Sequence, residues 1–314
     1  MVRTLSAHLR ISVVTCAHNP RAAYFQRVLK ALRSQTLSPE DWEYVLVDNA
    51  SASPVEEALD LSWHPNARVL REETLGLTPA RLHGIEQAVG ELLVFVDDDN
   101  VLQPDYLEQA LWIAETHPFL GSWSGQCEPE FETAPPAWTR RYWGNLCIRM
   151  FDEPVWSNLP RLPETMPAGA GLCVRRVVAG LYRDLHESGK RRFQFDRTGA
   201  SLVSGGDNDL AACACRLGLG VGLFPELRLT HLIPPERLTE DYLARLAEGI
   251  AFSSTLLDAT WNAPTPPRTP IGRLVDFLRT ARLPPRDRRI LSAFYRGRDT
   301  AARKLALEGA AEGR

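Results

Sequence analysis

Within the first hundred residues, short β-branched runs alternate with stretches of helical spacing, and this alternation constrains the fold more than any other feature. The runs are 11–16, 44–47, 68–70 and 92–96. Between the first two, Tyr24, Phe25, Val28, Leu29 and Leu32 recur at three- and four-residue steps after Pro20, a good first-turn residue. The spans 77–89 and 104–116 also read as helices. Strand, helix, strand, helix in this rhythm predicts an α/β domain, with a mostly parallel, Rossmann-like sheet flanked by helices. Ligands of such sheets bind beyond the carboxyl ends of the strands. The residues that follow each apolar run are therefore the first functional candidates.

Beyond residue 125 the rhythm breaks. The span 128–167 is rich in Trp and Pro (PPAWTRRYWG, DEPVWSNLPRLP) and reads as a long irregular excursion, a lid or acceptor wall rather than core. AGAGLCVRR then returns as a strand, 207–217 as a helix, 221–224 and 228–231 as two short strands, and 238–257 as a longer helix. Prolines clustered at 263–270 mark a linker. Two basic helical stretches follow, separated by Leu283-Pro284-Pro285. From Arg268 onward there are 12 Lys and Arg against 5 Asp and Glu, an excess of +7 on a chain of net charge −3. A basic tail on an acidic body calls for its own explanation.

The near-neutral balance gives no reason to expect nucleic-acid binding. The six cysteines form no C-x-x-C pair and most sit in apolar runs, which suits buried free thiols in a reducing compartment. The opening MVRTLSAHLRISVV lacks the apolar core of a secretion signal, and no run approaches the ~18 apolar residues of a membrane span. The expected location is cytoplasmic, with peripheral contact at the inner face of the membrane left open. Cys16 to Pro20 offers no glycine, which excludes a dinucleotide fingerprint there, and no P-loop is present.

Three strand exits carry the chemistry. LLVFVDDDN drives five apolar residues straight into Asp97, Asp98 and Asp99. Three consecutive carboxylates repel one another unless a cation sits among them, and hard oxygen ligands suit Mn2+ or Mg2+. Extended alternation would put Asp97 and Asp99 on one side and Asp98 on the other. The structural alternative is a solvated turn ahead of the next helix. YVLVDNAS ends a strand in Asp48, suited to a base or ribose or, more simply, to an Asx turn. ISVVTCAHNP ends in a small polar run containing Thr15, Ala17 and Asn19, suited to backbone contact with a nucleotide.

Taken together, these exits resemble family 2 glycosyltransferases of the GT-A fold. The likeness rests on Gln35-Thr36, on Asp48-Asn49-Ala50-Ser51, on Gly76 with LTPARLHGI, on Asp97-Asp98-Asp99 and on Pro104 to Leu107. It covers roughly residues 10–235. It implies an inverting transfer from a nucleotide sugar, a uridine diphosphate sugar first, to a hydroxyl of a sugar, glycan or lipid-linked glycan. Asp48 would contact the nucleobase, Arg81 the base or diphosphate, and Asp97 the ribose or sugar, with Asp98 beside them. Asp99 would hold the metal, with His231 completing its shell. In SGGDNDLA, Asp207 matches the family's base, although an Asp after two glycines also suits a helix N-cap. Gly169 and Gly171 would let backbone approach the donor sugar or acceptor, and Trp138 and Asp209 are further acceptor-side candidates. Two departures stand out, Leu82 where the family has Asn and Gly206 where it has Glu.

The resemblance implies a GT-A domain over 1–262, with a donor half near 10–125 and an acceptor half near 126–262. A linker and basic helical extension would then occupy 263–314. Two other functions remain open, a sugar nucleotidyltransferase and an inactive sugar-binding relative. For the tail, Ile271, Leu274, Val275 and Leu278 form a stripe near Arg273, Arg279 and Arg282. Further arginines follow at 286, 288, 289, 296 and 298. The tail either touches an anionic membrane, docks on its own domain, or joins a homodimer.

Overall fold

The computed structural model describes residues 9–191, 193, 195, 202–262, 266 and 268–312. The alternating first segment folds as β1 (Ile11–Ala17), α1 (Ala22–Arg33), β2 (Trp42–Asn49), β3 (Ala67–Glu72), α2 (Leu77–Gln87) and β4 (Leu92–Phe95). The runs are near-continuously apolar because β1, β2 and β4 are central and covered on both faces. α1 buries Tyr24, Phe25, Val28, Ala31 and Leu32, the stripe its spacing predicts, and carries Lys30 and Arg33 in its last turn, where the helix dipole favours them.

The sheet runs in the order β3-β2-β1-β4, all parallel, and then continues through β8 (Leu172–Arg175), β6 (Leu120–Phe131), β9 (Gly220–Ile233) and β5 (Asn100–Leu102). Beyond β4 the pairings β4–β8, β8–β6 and β9–β5 are antiparallel, as is β7 (Val155–Ser157) on β9. The sheet is thus mixed, and its run of four parallel strands lies where the sequence alternates strand with helix. The register Ala17↔Asp48 brings the β1 and β2 exits level, and Phe95↔Val14 puts the β4 exit beside them.

Three features differ from the sequence reading. The two short strands at 221–224 and 228–231 are one, β9, because Pro225 and Glu226 lie within an unbroken extended run. β6 was not legible, since LGSWSGQCEPEF is buried without regular alternation. The Trp-rich excursion contains a 3-10 helix, Ala137–Leu146, and β7. The remaining helices are α3 (Tyr106–Thr116), α4 (Arg176–Glu187), α5 (Gly206–Arg216), α6 (Glu240–Thr260), α7 (Pro270–Ala281) and α8 (Pro285–Glu312). No described helix is long and apolar enough to cross a membrane.

The chain divides into two compact units. The first comprises Met1–Glu130, Cys147–Lys190 and Asp207–Ile233, and so holds the sheet. Its core joins Val28 and Leu32 of α1 to Ile11, Val13, Trp42, Tyr44 and Leu46, and continues to Tyr106, Trp123 and Phe224. The second comprises Phe131–Leu146, Arg191–Gly206 and Pro234–Arg314. Contacts thus group α6 with the tail helices, and the expected break at residue 262 falls inside that unit. Within it α8 lies along α6, in step with it. Arg289 pairs with Glu240 and Asp241, and Arg296 with Glu248. The two backbones meet where a Cβ on Gly297 would lie 2.1 Å from the Glu248 carbonyl oxygen.

Candidate active site

At the joined exits of β1 and β2, the turns are tied to one another. Asn19 and Ala50 hold positive φ angles of 47° and 51°, strained for alanine and cheaper for asparagine. The Asn19 amide donates to Ser51 Oγ, the Ala52 amide donates to Asn19 Oδ1, and His18 Nδ1 lies 2.7 Å from the Asn49 carbonyl. Asp48 is buried beneath them and accepts from the Ser51 amide, the Val55 amide and Arg71 Nη1 at 2.8–3.1 Å. Burial pushes its carboxyl up, and these bonds together with the Ser51 side chain outweigh it, leaving it below the ordinary carboxylate value. Four donors fill the acceptor sites of one carboxylate. Asp48 thus closes the β2 turn through the amides three and seven residues on, and Arg71, which the sequence did not single out, is its ionic partner. Thr15 and Ala17 are buried in β1, with the Tyr44 hydroxyl beside Thr15, while Asn19 is exposed.

Four elements converge beyond the β4 exit. Residues 97–99 form a turn, closed by the Asn100 amide donating to the Asp97 carbonyl, and not the extended chain that alternation assumed. Even so, Asp97 and Asp99 lie close together. Burial raises the Asp97 carboxyl, Asp99 and Asp207 raise it further, and Arg81 and His231 act the other way. Asp98 lies on the Tyr44 side and contributes to holding that phenol up, after burial itself. β5 pairs Asn100 with His231, and that register brings His231 Nε2 to 3.4 Å from Asp99 Oδ2. The Leu232 amide donates to the Asp99 carbonyl, and Asn100 Nδ2 donates to Asp99 Oδ1.

Arg81 enters from α2, 4 % exposed, with its guanidinium 5.7 Å from the Phe95 ring centroid. Burial works against its charge, and Tyr182, Asp207, Cys16 and Asp97 around it more than restore the charge. Its Nε and Nη1 are buried without a hydrogen-bond acceptor. Buried donors in that state are costly and rare. An anionic ligand would satisfy them.

Asp207 lies in the first turn of α5, and Gly169, from the segment before β8, donates its amide to Asp207 Oδ2 at 2.7 Å. The carboxylate thus holds another segment instead of capping its own helix from the N-cap position. Gly169 is required by that approach, since a Cβ there would lie 2.8 Å from Asp207 Oδ2. Gly171 takes φ +67°, and its carbonyl accepts from the buried Tyr106 hydroxyl at 2.7 Å. Both glycines make room for protein groups, Gly169 for Asp207 and Gly171 for Tyr106. Asp209 is 1 % exposed, whereas Asp207 is partly exposed. Trp138 belongs to the second unit, where the Arg286 guanidinium stacks 4.2 Å from its ring centroid.

Two thiols also adjoin the cluster. Cys147, at φ +63°, is hydrogen-bonded to Cys127, which lowers the Cys147 thiol despite burial, with His231 and Arg149 acting the same way. No spacing in the sequence links these cysteines, because the bridge between Cys127 and Arg149 forms only in the fold. All six cysteines are free. Among the described residues, no group of three or more His, Cys, Asp or Glu forms a complete metal cage. Asp99 and His231 offer two ligands, a set that fits a divalent ion whose other positions are filled by substrate phosphate and water.

The family model described as "Glycosyl transferase family 2" matches residues 12–161. A putative glycosyltransferase, EpsH of Bacillus subtilis, is 31% identical over 103 residues, 32% of this chain and 29% of that protein. Glycosyltransferase AglE of Haloferax volcanii is 35% identical over 104 residues, 32% of this chain and 34% of that protein. The matches span about a third of these relatives' lengths. Among solved structures, mannosyltransferase PcManGT from Pyrobaculum calidifontis, in complex with GDP-Man and Mn2+, matches at TM-score 0.52 and 19% identity, over 98% of this chain and 77% of that one. TarS of S. aureus in complex with UDP-GlcNAc matches at TM-score 0.52 and 14% identity, over 90% of this chain and 79% of that one. At those identities the likeness establishes the fold, a GT-A sheet flanked by helices.

Proposed function

We propose, from the premise that this chain carries a family 2 glycosyl transferase domain over residues 12–161, that it moves a sugar from a nucleotide sugar to an acceptor hydroxyl with inversion. The observation that carries this reading is the convergence of Arg81, Asp97, Asp99, Asp207 and His231 from separate elements into one charged cluster. In the proposed complex the diphosphate meets the buried guanidinium of Arg81, whose two orphaned N–H groups it satisfies. Asp99 and His231 would hold Mn2+ or Mg2+, which when bound neutralises charge on the departing diphosphate. Asp207 takes the proton from the acceptor hydroxyl as that oxygen attacks the anomeric carbon. Its bond from Gly169 occupies Oδ2 and leaves Oδ1 to receive the proton. Asp48 positions the β2 turn near the base and acts through Ser51 and Arg71. The acceptor is a sugar, a glycan or a lipid-linked glycan.

Uridine and guanosine donors occur in the two neighbours named above. A thermal-shift panel of nucleotide sugars with and without Mn2+ separates them, since a tight ligand raises apparent stability by mass action. Asp207→Asn tests the mechanism. It keeps the acceptor for the Gly169 amide, so donor affinity should stay at the wild-type value while transfer falls roughly 10²-fold or more. Wild-type transfer by that variant would move the base elsewhere. Metal-independent donor binding, measured by calorimetry in excess chelator, would remove Asp99 and His231 from the scheme.

A further inference from the structure

In the second unit, α7 is held with its polar side toward the protein and its apolar side toward solvent. Asp276 accepts from Arg268 Nε and from the Tyr295 hydroxyl, each at 3.0 Å, and Thr280 is buried. Arg268 also bonds Asp299 and lies 4.1 Å from the Tyr295 ring centroid. Thr269 caps the helix by accepting the Gly272 amide, and Arg288 donates to the carbonyls of Ala281 and Leu283 at its end. At 100° per residue, Ile271, Leu274, Val275, Phe277 and Leu278 share an arc about 160° wide on the other side. They are 76, 58, 39, 68 and 51 % exposed. An ordinary surface helix buries that face. Here charged and aromatic contacts fix the opposite face, so the outward orientation is built in.

The charge around this face is one-sided. Arg273, Arg279 and Arg282 are exposed, and among the described residues none has a carboxylate partner. The arginines of α8 differ, because 286, 289 and 296 pair with Glu240, Asp241 and Glu248, and 288 and 298 donate to backbone carbonyls. Beside the apolar arc of α7, then, stand three exposed arginines with no carboxylate among the described residues to neutralise them. A second copy packed two-fold on this face would set its arginines against their own symmetry mates. A surface of phosphate headgroups over acyl chains meets both the charge and the apolar arc.

We propose that α7 seats this protein on an anionic lipid surface. The five apolar side chains enter the headgroup–acyl boundary, and Arg273, Arg279 and Arg282 contact lipid phosphates. This assignment rests on the helix alone and does not depend on the transferase reading.

Flotation with vesicles of phosphatidylglycerol and phosphatidylcholine, against phosphatidylcholine alone, tests it on the full chain. Wild type should float with the anionic vesicles at low salt and lose most of that binding at high salt or on neutral vesicles. Leu274→Gln with Phe277→Gln, both exposed and so harmless to folding by circular dichroism, should abolish flotation. Arg273→Gln with Arg279→Gln should weaken it roughly fivefold per charge. No flotation of wild type on anionic vesicles at low salt overturns the proposal. So does equal flotation by the Leu274/Phe277 variant, or a wild-type dimer in light scattering that this variant makes monomeric.

Discussion

Arg81 carries two buried donors that no group among the described residues accepts, beside two carboxylates that hold its charge. Charge-assisted bonds of this kind are worth about 1.5–3 kcal/mol. Arg81→Gln should therefore weaken donor binding roughly 10- to 100-fold by calorimetry, and an unchanged affinity would place the diphosphate elsewhere. Gly169→Ala acts on the other side of the cluster. Its Cβ must displace Asp207, so transfer should fall by up to about 10²-fold while donor affinity holds. His64 bears on stability instead. Its ring lies edge-on to Trp42 at 4.0 Å, and burial depresses it to about 4, with Glu43 opposing. A depressed folded value stabilises the native state above the unfolded value near 6.5, and that contribution is lost as pH falls from 6.5 toward 4. Wild type should thus lose on the order of 2 kcal/mol over this window relative to His64→Asn, which keeps an acceptor for the Asn66 amide. Parallel denaturation curves for the two proteins at pH 7 and pH 4.5 would contradict this.

At the scale of elements, the sequence motifs prove to be of two kinds. The aspartates closing β2 and β4, and Asp207 in the first turn of α5, were legible because each follows or opens a patterned element. Arg81 and His231, inside α2 and β9, were legible only through the likeness. Gln35 was legible only as a likeness, and the structure supplies its physical reason. Its amide donates to the Gln103 carbonyl, its oxygen accepts the Leu107 amide, and it thereby ties the end of α1 to the start of α3. Tyr106 similarly anchors the Gly171 segment. Gln35→Ala should cost about 1 kcal/mol in chemical denaturation, the usual scale for a lost cap, with donor affinity unaffected. The half of the sheet beyond β4 was poorly legible. β6 alternates neither in polarity nor in size, β5 is three residues long, and the Cys127–Cys147 contact joins segments twenty residues apart in sequence.

At the scale of the molecule, the basic tail divides its charge between two tasks. The arginines of α8 fasten it to α6, whereas Arg268 fixes α7 through Asp276, Asp299 and Tyr295. Arg268 is 9 % exposed, and removing one member of a buried ionic group costs about 3–5 kcal/mol. Arg268→Met should lower stability by an amount near the bottom of that range, because its stem still covers Tyr295. A change within error would mean that α7 is held by other contacts.

The single strand β9 carries β7 at Val221 to Leu223 and β5 at Leu229 to His231. Five residues separate those pairings, and from Val221 to His231 the strand runs eleven residues, about 33 Å of extended chain at roughly 3.3 Å per step. The backbone amides along this stretch should therefore exchange with deuterium as one cooperative block and not as two. The histidine beside Asp99 then inherits the slowest opening rate of that ladder, so the candidate metal position lasts as long as the strand does.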